Sequence, residues 1–126
     1  MEEKAVTGYR DMKVWQKSVE LVIQCYQVTR GFPKSETYSL ASQIQRAAVS
    51  IPSNIAEGNQ RRHRKEVLHH ISIAYGSLAE LETQMIIAHR LGYIDKVTLD
   101  QVLNQTAEIG KMLNGLRHFV EKRKDS

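Results

Sequence analysis

The feature that most constrains this fold is an apolar residue that recurs alternately every four and every three positions. One run comprises Val67, Ile71, Ala74, Leu78, Leu81, Met85 and Ala88. A second run comprises Leu99, Val102, Thr106, Ile109, Leu113, Leu116 and Val120. A seven-residue repeat of this kind is typical of long helices that pack nearly parallel to a neighbour. The sequence therefore predicts two long amphipathic helices in its second half.

The first half of the chain predicts two further amphipathic helices. The first begins near Asp11, and Gly31 and Pro33 stop it. The second ends at Gly58 and contains Pro52, which predicts a kink rather than two separate helices. The apolar positions are Val14, Ser18, Leu21, Cys25 and Val28 in the first helix, and Leu40, Ile44, Ala47, Ile51 and Ile55 in the second.

Seven glycines and two prolines are too few for an all-β fold with many tight turns. We therefore expect an all-α fold, an antiparallel up-down-up-down four-helix bundle with a kinked second helix and a long third helix spanning about 62–91. Residues 1–10 are expected to be a flexible N-terminus, residues 11–122 the bundle, and residues 123–126 a C-terminal tail.

Several classes of protein are excluded by simple patterns. No apolar run approaches the roughly 20 residues that cross a bilayer, so no membrane association is expected. The N-terminal residues Met1–Lys4 are not followed by an apolar signal core, and the single cysteine, Cys25, cannot form an internal disulfide. Both observations favour a cytoplasmic location.

A second apolar stripe lies beside the main one on some helices. Leu68, Tyr75, Ile86 and Ile87 lie off the main line of the third helix. A monomeric bundle would leave some of them in water, and large exposed apolar patches usually mark interfaces. The stripe therefore predicts a homo-oligomer.

The best candidate for a binding site is a cluster of cations between the second and third helices. Arg61, Arg62, Arg64 and Lys65 fall within five residues of one another. Such groups pair with phosphates, so the cluster predicts binding to RNA or DNA. The alternative is a solvated loop and first helical turn. Because few aromatic residues interleave with the cluster, recognition of the nucleic-acid backbone or shape is expected rather than base stacking.

Catalytic and metal-binding patterns are not found, so we expect neither an enzyme nor a cofactor. No Ser–His–Asp ordering, glycine-rich phosphate loop or pair of catalytic carboxylates occurs. His63, Glu66 and His70 share a helix face at spacings suited to a di-iron bundle, but the other helices offer no inward carboxylates. Cys25 lies on an apolar stripe and is interpreted as a small core residue.

Several ordered motifs resemble the bacterial 23S rRNA intervening-sequence proteins. The longest motif is the string QIQRAAVSIPSNIAEG at residues 43–58. The others are VWQK at 14–17, FPK at 32–34, IAYGSLAELE at 73–82 and RLGYI at 90–94. One departure is that the segment NQRRHRK at residues 59–65 lacks the Ser or Thr that relatives commonly carry before the third helix, so that Asn59 is the alternative cap. Another is that Gln45 stands where relatives commonly carry a second basic residue before Arg46.

This resemblance implies a left-handed four-helix bundle that assembles as a homopentamer and binds nucleic acid. Five copies of a +4 chain would carry about +20 (5 × 4) and present the basic cluster five times. Arg46 in the long motif joins the predicted nucleic-acid-binding residues. A distant likeness to accessory proteins of diversity-generating retroelements implies a rival function, a scaffold that docks a partner such as a reverse transcriptase.

The remaining polar residues of the long motif are expected to be structural. Asn54 could satisfy backbone groups that Pro52 leaves without a partner, and Glu57 could pair with a basic residue across the bundle. Gly58 is expected to end the second helix.

Overall fold

Four long α-helices make up most of residues 8–124, the part of the chain that this computed structural model describes. They are α1 (Lys13–Thr29), α2 (Leu40–Asn59), α3 (Arg64–Arg90) and α4 (Lys96–Glu121). Short 3-10 helices cover Gly8–Asp11 and Lys34–Glu36. The helix at Gly8–Asp11 includes three residues of the expected flexible N-terminus, whereas residues 1–7 of that segment lie outside the described part.

The helices form an antiparallel four-helix bundle in which each helix packs against two others. Contacts join α1 to α2, α2 to α3, α3 to α4, and α4 back to α1. Short connections between consecutive helices impose the up-down-up-down order. The predicted fold class is therefore confirmed, and no β-strand occurs in residues 8–124.

The predicted apolar repeats form the core. All seven repeat positions of α3 are buried, as are those of α4 except Leu116, which is half-buried. Thr106 occupies a repeat position of α4 although it is polar, because its hydroxyl donates to Glu82 Oε2 at 2.6 Å. The residues of the second apolar stripe of α3 differ in burial. Leu68 and Tyr75 are half-buried, whereas Ile86 and Ile87 are exposed in the single chain.

The helix ends differ from the sequence predictions in several places. α1 is preceded by Met12 rather than Asp11, and α2 begins at Leu40, where Glu36 Oε1 accepts from the Leu40 N–H at 3.2 Å. α2 runs through Pro52 as one helix and ends at Asn59, one residue beyond Gly58. α3 begins two residues later than expected and, with 27 residues, is about 40 Å long.

At the opposite end of α3 the chain turns on a glycine. Gly92 has a φ of 83°, a left-handed conformation that favours glycine. The Gly92 N–H donates to the His89 carbonyl, and the Tyr93 N–H donates to the Ala88 carbonyl, both at 2.9 Å. This Schellman pattern ends the long helix and reverses the chain into α4.

Candidate nucleic-acid interface

Lysine and arginine side chains concentrate at one end of the bundle, which we call the basic end. The antiparallel order brings together the start of α1, the α2–α3 turn and the end of α4 there. Its cations are Arg10, Lys13, Arg61, Arg62, Arg64, Lys65, Lys122, Arg123 and Lys124. Its carboxylates are Asp11, Glu57, Glu66 and Glu121. Among residues 8–124 the nine cations exceed the four anions by five, so the predicted four-residue cluster is part of a larger positive surface.

Arg64 links the start of α3 to the end of α4. Its Nη1 donates to the carbonyl of Arg123 at 2.7 Å and to that of Glu121 at 3.3 Å. In return, Arg123 Nη2 donates to the carbonyl of Arg62 at 3.3 Å. A cation is favourable at a helix C-terminus, where backbone carbonyls lack helical donors. Arg64 is therefore primarily a structural residue, a role that sequence spacing did not indicate.

Five cations of the basic end are available to bind an anion. The exposed side chains of these residues make no ion pair or hydrogen bond within residues 8–124, and they are Lys13, Arg62, Lys65, Lys122 and Lys124. Arg61 Nη2 lies 3.9 Å from Glu57 Oε2, and both side chains are exposed, so water screens this pair. The predicted residues Arg61, Arg62 and Lys65 thus remain accessible for binding.

Arg46 does not belong to this surface. It is exposed on α2, thirteen residues before the helix ends at Asn59. At about 1.5 Å per residue this places Arg46 roughly 20 Å along the helix from the basic end. The structure therefore separates it from the other predicted nucleic-acid-binding residues.

Asn54 connects α2 to α3 through a hydrogen bond with His70 and also bonds to Ser50 within α2. Its Nδ2 donates to the Ser50 carbonyl at 2.9 Å, and its Oδ1 lies 2.9 Å from His70 Nδ1. Because Oδ1 can only accept, His70 donates this bond from Nδ1. The carbonyl four residues before Pro52 belongs to Ala48, so the prediction that Asn54 satisfies the backbone freed by Pro52 is wrong.

Glu57 and Gly58 shape the last turn of α2. Glu57 Oε1 lies 4.0 Å from His70 Nδ1 on the neighbouring helix α3. Gly58 is buried, and a Cβ placed on it would lie 2.9 Å from His70 Cβ. The motif residues therefore fix the close approach of α2 and α3 beside the basic end.

The described residues offer little that resembles catalytic or metal chemistry. Within residues 8–124 no group of three or more His, Cys, Asp or Glu side chains could hold a metal ion. Burial raises the pKa of the Cys25 thiol to about 12, so it stays protonated. This agrees with the interpretation of Cys25 as a small core residue. None of the described helices is both long enough and apolar enough to cross a membrane.

Comparisons with known proteins place these features in context. The sequence profile of a family described as 23S rRNA-intervening sequence protein matches residues 10–115. No curated protein matches the chain. A solved structure that it resembles is a protein of unknown function from the S23 ribosomal protein family of Bacteroides thetaiotaomicron. The two share 25% sequence identity with a TM-score of 0.74, over 82% of this chain and 97% of that one.

Proposed function

Because the chain belongs to the 23S rRNA-intervening sequence protein family, we propose that it is a non-enzymatic, pentameric bundle that binds nucleic acid through its basic end. The observation that carries this proposal is the set of exposed cations at that end whose side chains have no partner among the described residues. Arg62 and Lys65 come from the α2–α3 turn and the start of α3, and Lys122 and Lys124 follow α4. Cations supplied by separate segments can contact successive phosphates of one strand.

The exposed apolar side chains support self-association. Ile73, Ile86 and Ile87 are exposed on α3, and Ile23 and Tyr26 are exposed on α1. Burying such side chains against other copies would remove apolar surface from water, which favours association. Association would also repeat the basic end, so that individually weak phosphate contacts reinforce one another.

A salt titration tests the nucleic-acid proposal. Binding of a fluorescent RNA should weaken steeply as salt rises, because phosphate contacts release counterions. The variant R62Q/K65Q/K122Q/K124Q should bind more weakly and with a shallower dependence on salt. The matched control is R30Q/K34Q/R90Q/K111Q, which removes four exposed charges away from the basic end and should bind like the wild type.

Equal binding by the two variants would contradict a specific role of the basic end. If the wild-type protein binds neither RNA nor DNA at low salt, the nucleic-acid proposal is wrong and the rival, a scaffold for a partner protein, is favoured. We also propose a cytoplasmic location, which is supported by the buried free thiol of Cys25 and is testable by cell fractionation.

A further inference from the structure

An exposed aromatic side chain lies within the basic end. Phe119 belongs to the last turn of α4, and 66% of its surface is accessible to solvent. Three of the available cations are near it along the chain or across the α2–α3 turn. Lys122 and Lys124 follow it within five residues, and the carbonyl of Arg62 accepts a hydrogen bond from the side chain of the nearby Arg123.

Phe119 also forms one wall of an apolar cavity. Met12, Asn59 and Arg123 line the cavity beside it, and Ile55, Val67 and Ile71 line its apolar interior. The exposed ring therefore borders an apolar recess at the positively charged end of the bundle. A planar apolar group with an attached anion would match this combination.

Two other aromatic residues at this end, Tyr9 and Trp15, are less available. Trp15 is partly buried against the core, and the ring of Tyr9 packs edge-on against it, with centroids 5.3 Å apart. The guanidinium carbon of Arg10 lies 5.7 Å from the Tyr9 centroid, so a cation covers that ring. Phe119 is therefore the aromatic side chain of the described basic end that is best placed to receive a partner.

We propose that Phe119 is a stacking platform for an unpaired base of single-stranded nucleic acid, with Arg62, Lys122 and Lys124 holding the adjoining phosphates. This inference rests on the proposed nucleic-acid binding and specifies its substrate. Sequence-tolerant binding of single strands typically combines aromatic stacking with a cationic groove. In a continuous duplex the bases are already stacked on one another, so no base face would be free to stack on the Phe119 ring.

The charge around Phe119 argues against a second copy of the same end as its occupant. Two basic ends brought together would place the cations of both around one contact, and like charges would repel. An anionic partner would attract these cations, so this repulsion would not arise. A single-stranded nucleic acid supplies both the flat apolar surface and the negative charge.

The experiment compares F119A with F119W for binding of a short single-stranded RNA and of the matching duplex. The single strand carries 2-aminopurine, whose fluorescence reports stacking. F119A should lose about 5- to 160-fold in affinity for the single strand, the range that corresponds to about 1–3 kcal/mol for one stacked base. F119W should retain most of the affinity, and both variants should bind the duplex like the wild type.

The outcomes separate the two proposals. Unchanged single-strand affinity and unchanged 2-aminopurine fluorescence in F119A would overturn the stacking proposal while leaving binding by the basic end intact. A change in oligomer mass for F119A would show that the Phe119 ring contacts another copy of the chain, and this result would also overturn the stacking proposal. If the wild type binds no nucleic acid, the proposed function fails, and the stacking proposal fails with it.

Discussion

Arg64 Nη1 donates a 2.7 Å hydrogen bond to the carbonyl oxygen of Arg123, which joins the first turn of α3 to the residue that follows α4 by two positions. Arg62 lies two residues before Arg64, yet its exposed side chain pairs with no described residue. Arg64 therefore has a structural role, whereas the nearby Arg62 does not, and this difference can be measured.

We expect R64A to destabilise the fold and R62A to leave it nearly unchanged. R64A removes two charge-assisted bonds to backbone carbonyls, and such bonds contribute about 1–3 kcal/mol. R62A removes a side chain without a partner in residues 8–124, so its effect should stay within about 0.5 kcal/mol. Urea unfolding measures both free energies. Equal stability of the two variants would show that the contact between Arg64 and Arg123 does not matter for folding.

Replacement of Gly58 by alanine should destabilise the bundle. The added Cβ would lie 2.9 Å from His70 Cβ and 3.6 Å from the Val67 carbonyl oxygen, so α2 and α3 must separate locally. Overpacking of this kind costs about 1–3 kcal/mol, more than the gain in helix propensity. In contrast, G115A has no atom within 4 Å of the new Cβ and should stabilise by about 0.5–1 kcal/mol. Thermal unfolding that ranks G58A at or above the wild type would contradict the packing argument.

Asp95 should make the stability depend on pH under acidic conditions. The Thr98 N–H donates to its carboxylate at 2.8 Å at the start of α4, and this bond lowers the pKa of Asp95 below its usual 3.8. Because the native pKa is the lower one, the stabilisation is complete above the unfolded value of 3.8 and is lost as pH falls through the native value.

Two variants separate the cap from its charge. D95N should keep most of the stability at neutral pH, because asparagine caps helices about as well as aspartate, but should lose this acid dependence. D95A should be less stable at neutral pH as well. Stability measured against pH provides the comparison, and an unaltered acid slope in D95N would assign the dependence to other carboxylates.

Charges placed on the exposed face of α3 should dissociate the proposed pentamer. Light scattering of the wild type should give about 72 kDa (5 × 14.4 kDa). I73E/I87E should reduce this mass, because a carboxylate buried at an interface loses its hydration. The control V97E changes an exposed apolar residue at the start of α4, outside the exposed face of α3, and should leave the mass unchanged. A wild-type mass of one chain would refute the pentamer itself.

The sequence correctly predicted burial wherever burial depends only on which face of a helix a side chain lies. Val67, Ile71 and Leu81 are buried as their spacing predicts, because the helical period alone determines which side chains share a face. Helix starts were harder to predict. At the start of α2, Glu36 accepts from the Leu40 N–H, and Glu36 itself belongs to a 3-10 turn that precedes the helix.

The sequence by itself determined four amphipathic helices, their antiparallel order and a run of cations between the second and third helices. Only the tertiary structure decided which cations are free, because Arg64 finds its partners 57 and 59 residues away at the end of α4. It also separated Arg46 from the cluster and brought Phe119 into it. Contacts between distant segments depend on how the helices pack against one another, and the spacing of apolar residues along a single helix carries no information about that packing.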